Sequence, residues 1–192
     1  MPNNSDRFFV LTGGPGAGKT TLIEALRSAG FTAMPEAGRA IIRDQLQIGG
    51  QATHQNNPAL FAELMLSFDM QSYRHAVDET GPVFFDRGIT ELVGYHGMMG
   101  MPVPAHFRTA AEKFRYNAKV FAAPPWPEIF ANDSERKQSL GEAVRTHDAA
   151  VRTYAEFGYE IVALPETSVE ERLRFILAET GLAAPFCGRK PL

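Results

Sequence analysis

The sequence has little cysteine and no long hydrophobic run. Only Cys187 of the 192 residues is a cysteine, so an intramolecular disulfide is excluded and a reducing compartment is expected. No apolar stretch approaches the roughly 20 residues that a membrane-spanning helix needs. The polar N-terminus MPNNSDR also lacks the apolar core of a signal peptide. We therefore expect a cytoplasmic protein without a membrane partner.

The chain also lacks an excess of basic charge. It has 19 Lys and Arg against 22 Asp and Glu, a formal net charge of -3. Electrostatic binding along nucleic acid usually needs a basic surface, so no nucleic-acid partner is expected. A length of 192 residues suits one well-packed domain. We predict a single domain over residues 1–182 and a C-terminal tail over residues 183–192.

Short apolar segments alternate with longer helical segments, which predicts an α/β domain with a mostly parallel sheet. Five strands are predicted, over residues 7–12, 31–34, 82–86, 119–123 and 159–165. Helices between the strands are expected to flank the sheet. Residues 124–138 are rich in proline and charge, which predicts an exposed, lid-like excursion after the fourth strand.

The stretch VLTGGPGAGKTTL, residues 10–22, contains the phosphate-binding motif G-x-x-x-x-G-K-[ST] between a predicted strand and a predicted helix. Its glycines let backbone N–H groups point at phosphate oxygens, and the helix N-terminus adds a positive dipole end. Lys19 is expected to reach the β- and γ-phosphates, and the Thr20 hydroxyl to bind Mg²⁺. The predicted nucleotide-binding residues are Gly13, Gly14, Pro15, Gly16, Ala17, Gly18, Lys19, Thr20 and Thr21. The motif leaves ATP and GTP open as the nucleotide.

Two acidic residues follow predicted strands. Asp86 ends the apolar run VFF, where a carboxylate in P-loop proteins holds Mg²⁺. Glu36 lies just beyond the second strand, at the edge of the sheet where ligands collect, and is suited to accept a proton from a hydroxyl group or to help place the metal. The alternatives are structural: Asp86 caps the following turn, and Glu36 is a first-turn residue with Arg39 as its partner.

Cations are expected to stabilise the charge that phosphoryl transfer spreads over the γ-phosphate oxygens. Arg136 in the predicted lid is the candidate for this catalytic role, while a solvated charged loop is the alternative. Weaker candidates for substrate contacts are Arg39, Gln71, Arg74, Arg87 and Arg145.

Four segments together resemble a known family: Gly13–Thr21, Pro35-Glu36-x-x-Arg39, Phe85-Asp86-Arg87-Gly88 and Glu135-Arg136-Lys137. The sequence is similar to small P-loop ATPases of the AAA_28 type, which are related to nicotinamide-riboside kinase domains and, more distantly, to nucleoside and nucleoside-monophosphate kinases. The resemblance covers about residues 7–180. It implies a three-layer P-loop NTPase fold, with a five-stranded sheet flanked by helices and a lid over the phosphates.

In deoxynucleoside kinases a Glu after the second strand is the base, matching Glu36. An Asp-Arg-Ser follows their third strand, where this chain has Gly88 in place of the serine.

The leading hypothesis is a Mg²⁺-dependent kinase that transfers the γ-phosphate of ATP to a nucleoside, a nucleotide or a vitamin-like alcohol. Its catalytic residues would be Lys19, Glu36, Asp86 and Arg136, with Thr20 and Asp86 as metal ligands. The acceptor pocket is expected between residues 36–50, 61–75 and 88–101. The alternatives are a nucleotide-hydrolysing switch that acts through a protein partner, and a P-loop scaffold without turnover. The sequence is compatible with an oligomer.

Overall fold

A computed structural model describes residues 4–130 and 139–183. These residues form one five-stranded sheet in the order β2-β3-β1-β4-β5, and each of its four pairings is parallel. The strands are β1 (Phe8–Gly13), β2 (Thr32–Met34), β3 (Val83–Asp86), β4 (Lys119–Ala123) and β5 (Glu160–Ala163). The predicted parallel α/β sheet is thereby confirmed.

Within the described residues, a short 3₁₀ helix precedes β1, and the other helices connect successive strands or follow the last one. In chain order they are the 3₁₀ helix (Asn4–Arg7), α1 (Lys19–Ser28), α2 (Ala37–Ile48), α3 (Pro58–Asp78), α4 (Glu91–Met98), α5 (Ala105–Lys113), α6 (Leu140–Glu156) and α7 (Val169–Thr180). Their ends follow local chemistry. The Ser139 hydroxyl accepts from the Glu142 amide while the Glu142 carboxylate accepts from the Ser139 amide, a capping box that opens α6. Gly181, with φ at +67°, ends α7.

The core has two layers, one on each face of the sheet. On one face Phe9 and Leu11 of β1 pack with residues of α1 and α7, and on the other Phe8 and Val10 pack with residues of α3 and α6. All of β1 is buried, as expected for the central strand of a parallel sheet. A third apolar cluster, built around Phe61, joins α2, α3, α4 and α5 beside the sheet.

The strand order brings the predicted site residues to one edge. Because β1 and β3 are parallel neighbours, with Leu11 opposite Asp86, the loop after β1 lies next to the segment after β3. Strand β2 pairs with β3 on its other side, so Glu36 follows at the same carboxyl edge.

Part of the predicted lid and most of the predicted C-terminal tail lie outside the described residues. These parts are residues 131–138, with Arg136, and residues 184–192. Within the residues that are described, no helix is both long enough and apolar enough to cross a membrane.

Candidate active site

The loop between β1 and α1 has the backbone shape of a phosphate cradle. Gly13, Gly16 and Gly18 have positive φ angles, and Gly18 is the residue from which α1 begins. Packing requires glycine as well: a Cβ on Gly13 would lie 2.3 Å from the carbonyl oxygen of Ala123 in β4. The loop is therefore fixed against the sheet, with the N-terminus of α1 at its end.

Lys19 is buried and makes two hydrogen bonds to this loop. Its Nζ donates to the carbonyl oxygens of Gly13 at 3.0 Å and Gly14 at 2.7 Å. Burial lowers the pKa of the Lys19 ammonium to about 8, and the guanidinium of Arg87 adds to this shift. Thr20, the next residue of α1, is exposed. The predicted phosphate and metal groups thus lie at adjacent positions of one helical turn.

Asp86 ends β3 and is only 7% exposed. Among the described residues its buried Oδ1 has no hydrogen-bond partner. Burial raises the pKa of the Asp86 carboxyl to about 6, and the Glu36 carboxylate contributes, while Lys19 and Arg87 oppose the shift. A buried carboxylate oxygen without a donor fits a bound cation or its water, which is what the sequence predicts here.

Arg87 follows Asp86 with φ at +73°, a left-handed conformation that costs a non-glycine residue on the order of 1 kcal/mol. Its Nε lies 3.4 Å from Oε1 of Glu36, and its Nη1 pairs with Oε1 of Glu91. Burial lowers the pKa of the Arg87 guanidinium, but the carboxylates of Glu91 and Glu36 outweigh it and the net shift is upward. Arg39 also pairs with Glu36, at 3.7 Å. Glu36 therefore lies between two arginines.

A cavity of about 320 Å³ opens beside the phosphate loop, with Pro15 of that loop in its lining. Its apolar wall includes Ile42, Phe61, Met65, Leu92, Tyr95, Met98 and Met99. Its polar and charged lining includes Glu36, His54, Asp69, Arg87, Glu91, Glu142, Arg145 and Thr146. The cavity lies between the three predicted segments, and α6 adds a fourth wall. The size is in the range of small-molecule sites.

The weaker sequence candidates separate into two groups. Arg87 and Arg145 line the cavity. Arg39 is not in the lining, but it pairs with Glu36, which is. Gln71 and Arg74 are exposed on α3 and are not part of the cavity lining. The catalytic candidate Arg136 lies outside the described residues.

Sequence reasoning missed three buried polar residues of the site. Asp69 of α3 lines the cavity at 9% exposure, four residues after Met65 on the apolar face of the helix. Burial raises the pKa of the Asp69 carboxyl well above its usual range, and Glu91 and Glu36 add to the shift. The other two residues are Thr12 and Glu91, which contact each other: the Thr12 hydroxyl donates a hydrogen bond of 2.8 Å to the Glu91 carboxylate. The spacing of four between Arg87 and Glu91 was no signal for their ion pair, because Arg87 precedes α4 and has a left-handed backbone.

The structure also explains the glycine at position 88. A Cβ on Gly88 would lie 2.9 Å from Cε2 of Tyr116 and 3.1 Å from the hydroxyl oxygen of Tyr154. Tyr116 is fixed in place because its hydroxyl accepts from the Ile89 amide at 3.2 Å. A serine at this position would displace buried tyrosines, so the departure from Asp-Arg-Ser follows from the packing of this chain.

The residues present suit nucleotide-bound Mg²⁺ better than a metal held by protein alone. Across residues 4–130 and 139–183 there is no group of three or more His, Cys, Asp or Glu arranged to bind a metal ion. Mg²⁺ is usually held by one or two protein oxygens together with substrate phosphates. The Thr20 hydroxyl and the Asp86 carboxylate match that donor set.

Comparisons with solved structures identify the fold. The structure of NadR protein in complex with NR matches at a TM-score of 0.70 and 19% identity, over 95% of this chain and 54% of NadR. A second NadR structure, with NAD and AMP-PNP, gives 0.68 at 16% identity over 95% and 51%. The chain thus spans about half the length of these NadR chains. Deoxyadenosine kinase from M. mycoides with bound dATP gives 0.56 at 13% identity over 91% and 99%.

These likenesses confirm the predicted three-layer P-loop fold of kinases. A comparison with curated proteins gives no match. A family model described as AAA domain, AAA_28, matches residues 8–172. Because this match extends over most of the sequence, the chain belongs to the AAA_28 family.

Proposed function

We propose that the protein is a kinase that uses MgATP to phosphorylate a hydroxyl group of a small neutral or cationic acceptor. The observation that carries the proposal is the cavity, which places Pro15 of the phosphate loop and the carboxylate of Glu36 in one lining. Hydrolysis needs only room for water. A cleft of about 320 Å³ beside the phosphate loop suits a second substrate.

The phosphate side of the reaction is assigned to the loop and its neighbours. The loop amides and Lys19 bind the triphosphate, and Thr20 and Asp86 hold the metal. Mg²⁺ that arrives with the nucleotide neutralises charge on the β- and γ-phosphates. The NadR structure with AMP-PNP supports ATP as the nucleotide. Arg136, outside the described residues, is proposed on its sequence position as an additional cation over the phosphates.

Glu36 is assigned to the acceptor. Its side chain is 9% exposed, and its Oε1 pairs with Nε of Arg87. This ion pair holds the orientation of the Glu36 carboxylate. In this role it orients the acceptor hydroxyl and accepts its proton as the phosphate is transferred. Arg87, next to Asp86, stabilises the charge that develops on the transferring phosphate.

The charges of the cavity favour an acceptor without a phosphate of its own. Four acidic side chains line it, those of Glu36, Asp69, Glu91 and Glu142, against the two guanidinium groups of Arg87 and Arg145. Arg87 is already paired with Glu36 and Glu91. A nucleotide acceptor would bring negative charge into this lining, whereas a nucleoside or another polar alcohol would not. The matches to NadR with NR and to a deoxyadenosine kinase support a nucleoside-like acceptor.

An ATP-consumption screen against nucleosides, nucleotides and vitamin-like alcohols tests the proposal, with Glu36→Gln run in parallel. We expect a neutral or cationic acceptor to stimulate turnover. Glu36→Gln should keep MgATP affinity and lower acceptor-dependent kcat by about 100-fold or more. Glu24→Gln is the matched control, because Glu24 is exposed on α1 and pairs with Arg27 at the surface. If no acceptor in the panel stimulates turnover, the kinase proposal fails and slow hydrolysis becomes the better account.

A further inference from the structure

Glu91 connects two parts of the site that are far apart in the sequence. It is the first residue of α4 and is 9% exposed. Its Oε2 accepts a hydrogen bond of 2.8 Å from the hydroxyl of Thr12, and its Oε1 pairs with Nη1 of Arg87. Thr12 is fully buried in β1 and directly precedes Gly13, the first glycine of the phosphate loop. Both carboxylate oxygens of Glu91 are therefore used.

Arg87 is a residue that needs such support. Its backbone is in the left-handed region, and its amide donates to the carbonyl oxygen of Leu11 at 2.9 Å. Non-glycine residues stay in that region when surrounding contacts over-determine the position. Here the main chain is held by β1, and the side chain is held by Glu91 and by Glu36. Arg87 is thus held both at its backbone and at its guanidinium group.

The position of the guanidinium matters because it lies between the phosphate loop and the acceptor cavity. Arg87 lines the cavity and pairs with Glu36 at 3.4 Å. On its other side it is close enough to Lys19 to lower the pKa of that ammonium. A cation at this junction faces the place where phosphate is transferred from nucleotide to acceptor.

We propose that Glu91 is a positioning residue, which holds the Arg87 guanidinium at this junction and fixes its place relative to the phosphate loop through Thr12. The inference rests on the proposed function, since Arg87 acts there on the transferring phosphate. Glu91 borders the acceptor cavity, but Thr12 and Arg87 already engage both of its carboxylate oxygens. Its effect is expected in catalysis rather than in binding, because a displaced cation loses contact with the transition state more than with the ground state.

Glu91→Gln tests this inference. The amide oxygen of glutamine can still accept from Thr12, but the charge opposite Arg87 is removed. We expect kcat to fall by about 10- to 100-fold with little change in acceptor KM. Thr12→Val removes only the hydroxyl and keeps the side-chain shape, so it should lower kcat by about fivefold. If Glu91→Gln fails to fold, Thr12→Val still tests whether the contact between Thr12 and Glu91 contributes to kcat. Glu24→Gln, which removes an exposed Glu–Arg pair in α1, is the control.

A double-mutant cycle separates positioning from a general structural effect. If Glu91 acts through Arg87, then Glu91→Gln should cost almost nothing further in an Arg87→Gln background. Independent, additive losses in kcat would overturn the inference. An acceptor KM that rises while kcat is unchanged would overturn it too, because that result assigns Glu91 to binding.

A binding measurement keeps this inference distinct from the proposed function. MgADP with aluminium fluoride mimics the transferring phosphate and needs no acceptor. We expect the wild-type protein to bind this complex more tightly than MgADP, and Glu91→Gln to lose most of that difference while MgADP affinity is kept. Such a result would support Glu91 as a positioning residue even if no acceptor is found. A wild-type protein that does not distinguish the two ligands, or a variant that distinguishes them equally well, would overturn the inference.

Discussion

The Nζ atom of Lys19 donates a hydrogen bond of 2.7 Å to the carbonyl oxygen of Gly14. Both residues belong to the phosphate loop, so phosphate oxygens that bind Lys19 compete with the carbonyls of the loop itself. The ammonium group is buried, with its pKa lowered to about 8. A triphosphate beside it favours the charged form and raises that pKa.

The affinity for MgATP should therefore decrease as the pH rises above about 8. The free protein loses the Lys19 proton near pH 8, whereas the complex retains it to higher pH, so binding takes up a proton in this window. We expect proton uptake to be close to zero at pH 7 and to approach one at pH 9, with an affinity loss of up to about tenfold per pH unit. Isothermal titration in buffers of different ionisation enthalpy measures the uptake. Lys19→Arg is the control, since arginine keeps its charge; a wild-type affinity that is constant from pH 7 to 9.5 would contradict the prediction.

Asp86→Asn should make the protein more stable at pH 7 and catalytically inactive. The pKa of Asp86 is raised from its usual value near 4 to about 6, so ionisation of this carboxyl opposes folding as the pH rises through that window. The gain in the free energy of unfolding is expected to be on the order of 2 kcal/mol at pH 7 and to vanish near pH 4. Urea denaturation at the two pH values measures it. Asp44→Asn, at an exposed position of α2, should change neither stability nor activity; equal effects of Asp86→Asn at both pH values would refute the assignment.

Asp69→Asn should separate acceptor recognition from nucleotide binding. The Asp69 carboxyl lines the cavity and its pKa is raised by burial and by Glu91, so the amide removes an unfavourable charge and raises the melting temperature. The acceptor KM is expected to rise about tenfold or more, because a hydrogen-bond or charge partner of the acceptor is lost. MgATP affinity should not change. Asp78→Asn at the exposed end of the same helix is the matched control, and an unchanged acceptor KM in Asp69→Asn would remove Asp69 from recognition.

Gly88→Ser should destabilise the protein even though it restores the Asp-Arg-Ser pattern of deoxynucleoside kinases. The new Cβ would lie 2.9 Å from Tyr116, so a buried tyrosine must move. We expect a loss of about 1–3 kcal/mol in the free energy of unfolding. Gly97→Ala provides the comparison, because a Cβ there meets no atom of the described residues within 4 Å outside its own stretch of helix, and alanine favours a helix. Thermal or urea unfolding of both variants decides the point: a Gly88→Ser protein as stable as the wild type would disprove the packing argument.

The sequence predicted those parts of the fold and site that depend on local spacing. The phosphate loop, the strand Lys119–Ala123 and the placement of Asp86 at a strand end all follow from patterns within a few residues. The contact between Thr12 and Glu91 could not be predicted in this way, because 79 residues separate them and only the pairing of β1 with β3 brings them together.

Helix α3 shows why polarity alone is a poor guide to the cavity. Gln71 and Arg74 are polar and close to the predicted pocket in sequence, yet both are exposed. Asp69, two residues before Gln71, lies on the buried face, since two residues turn a helix by roughly 200°. Which face of the helix meets the cavity is decided by its packing on α2 and α4, which no local pattern of charges specifies.

The central position of β1 has a consequence for synthesis of the chain. This strand, FFVLTG, is wholly apolar or small and buried, and its two hydrogen-bonding neighbours are residues 83–86 and 119–123. A ribosome must therefore release more than a hundred further residues before the first strand is paired on both sides. Until then at least one of its edges stays open to strands of other chains, which is the condition under which nascent proteins aggregate. Chaperones that shield the N-terminal strand should thus matter most while residues 14–118 are being made.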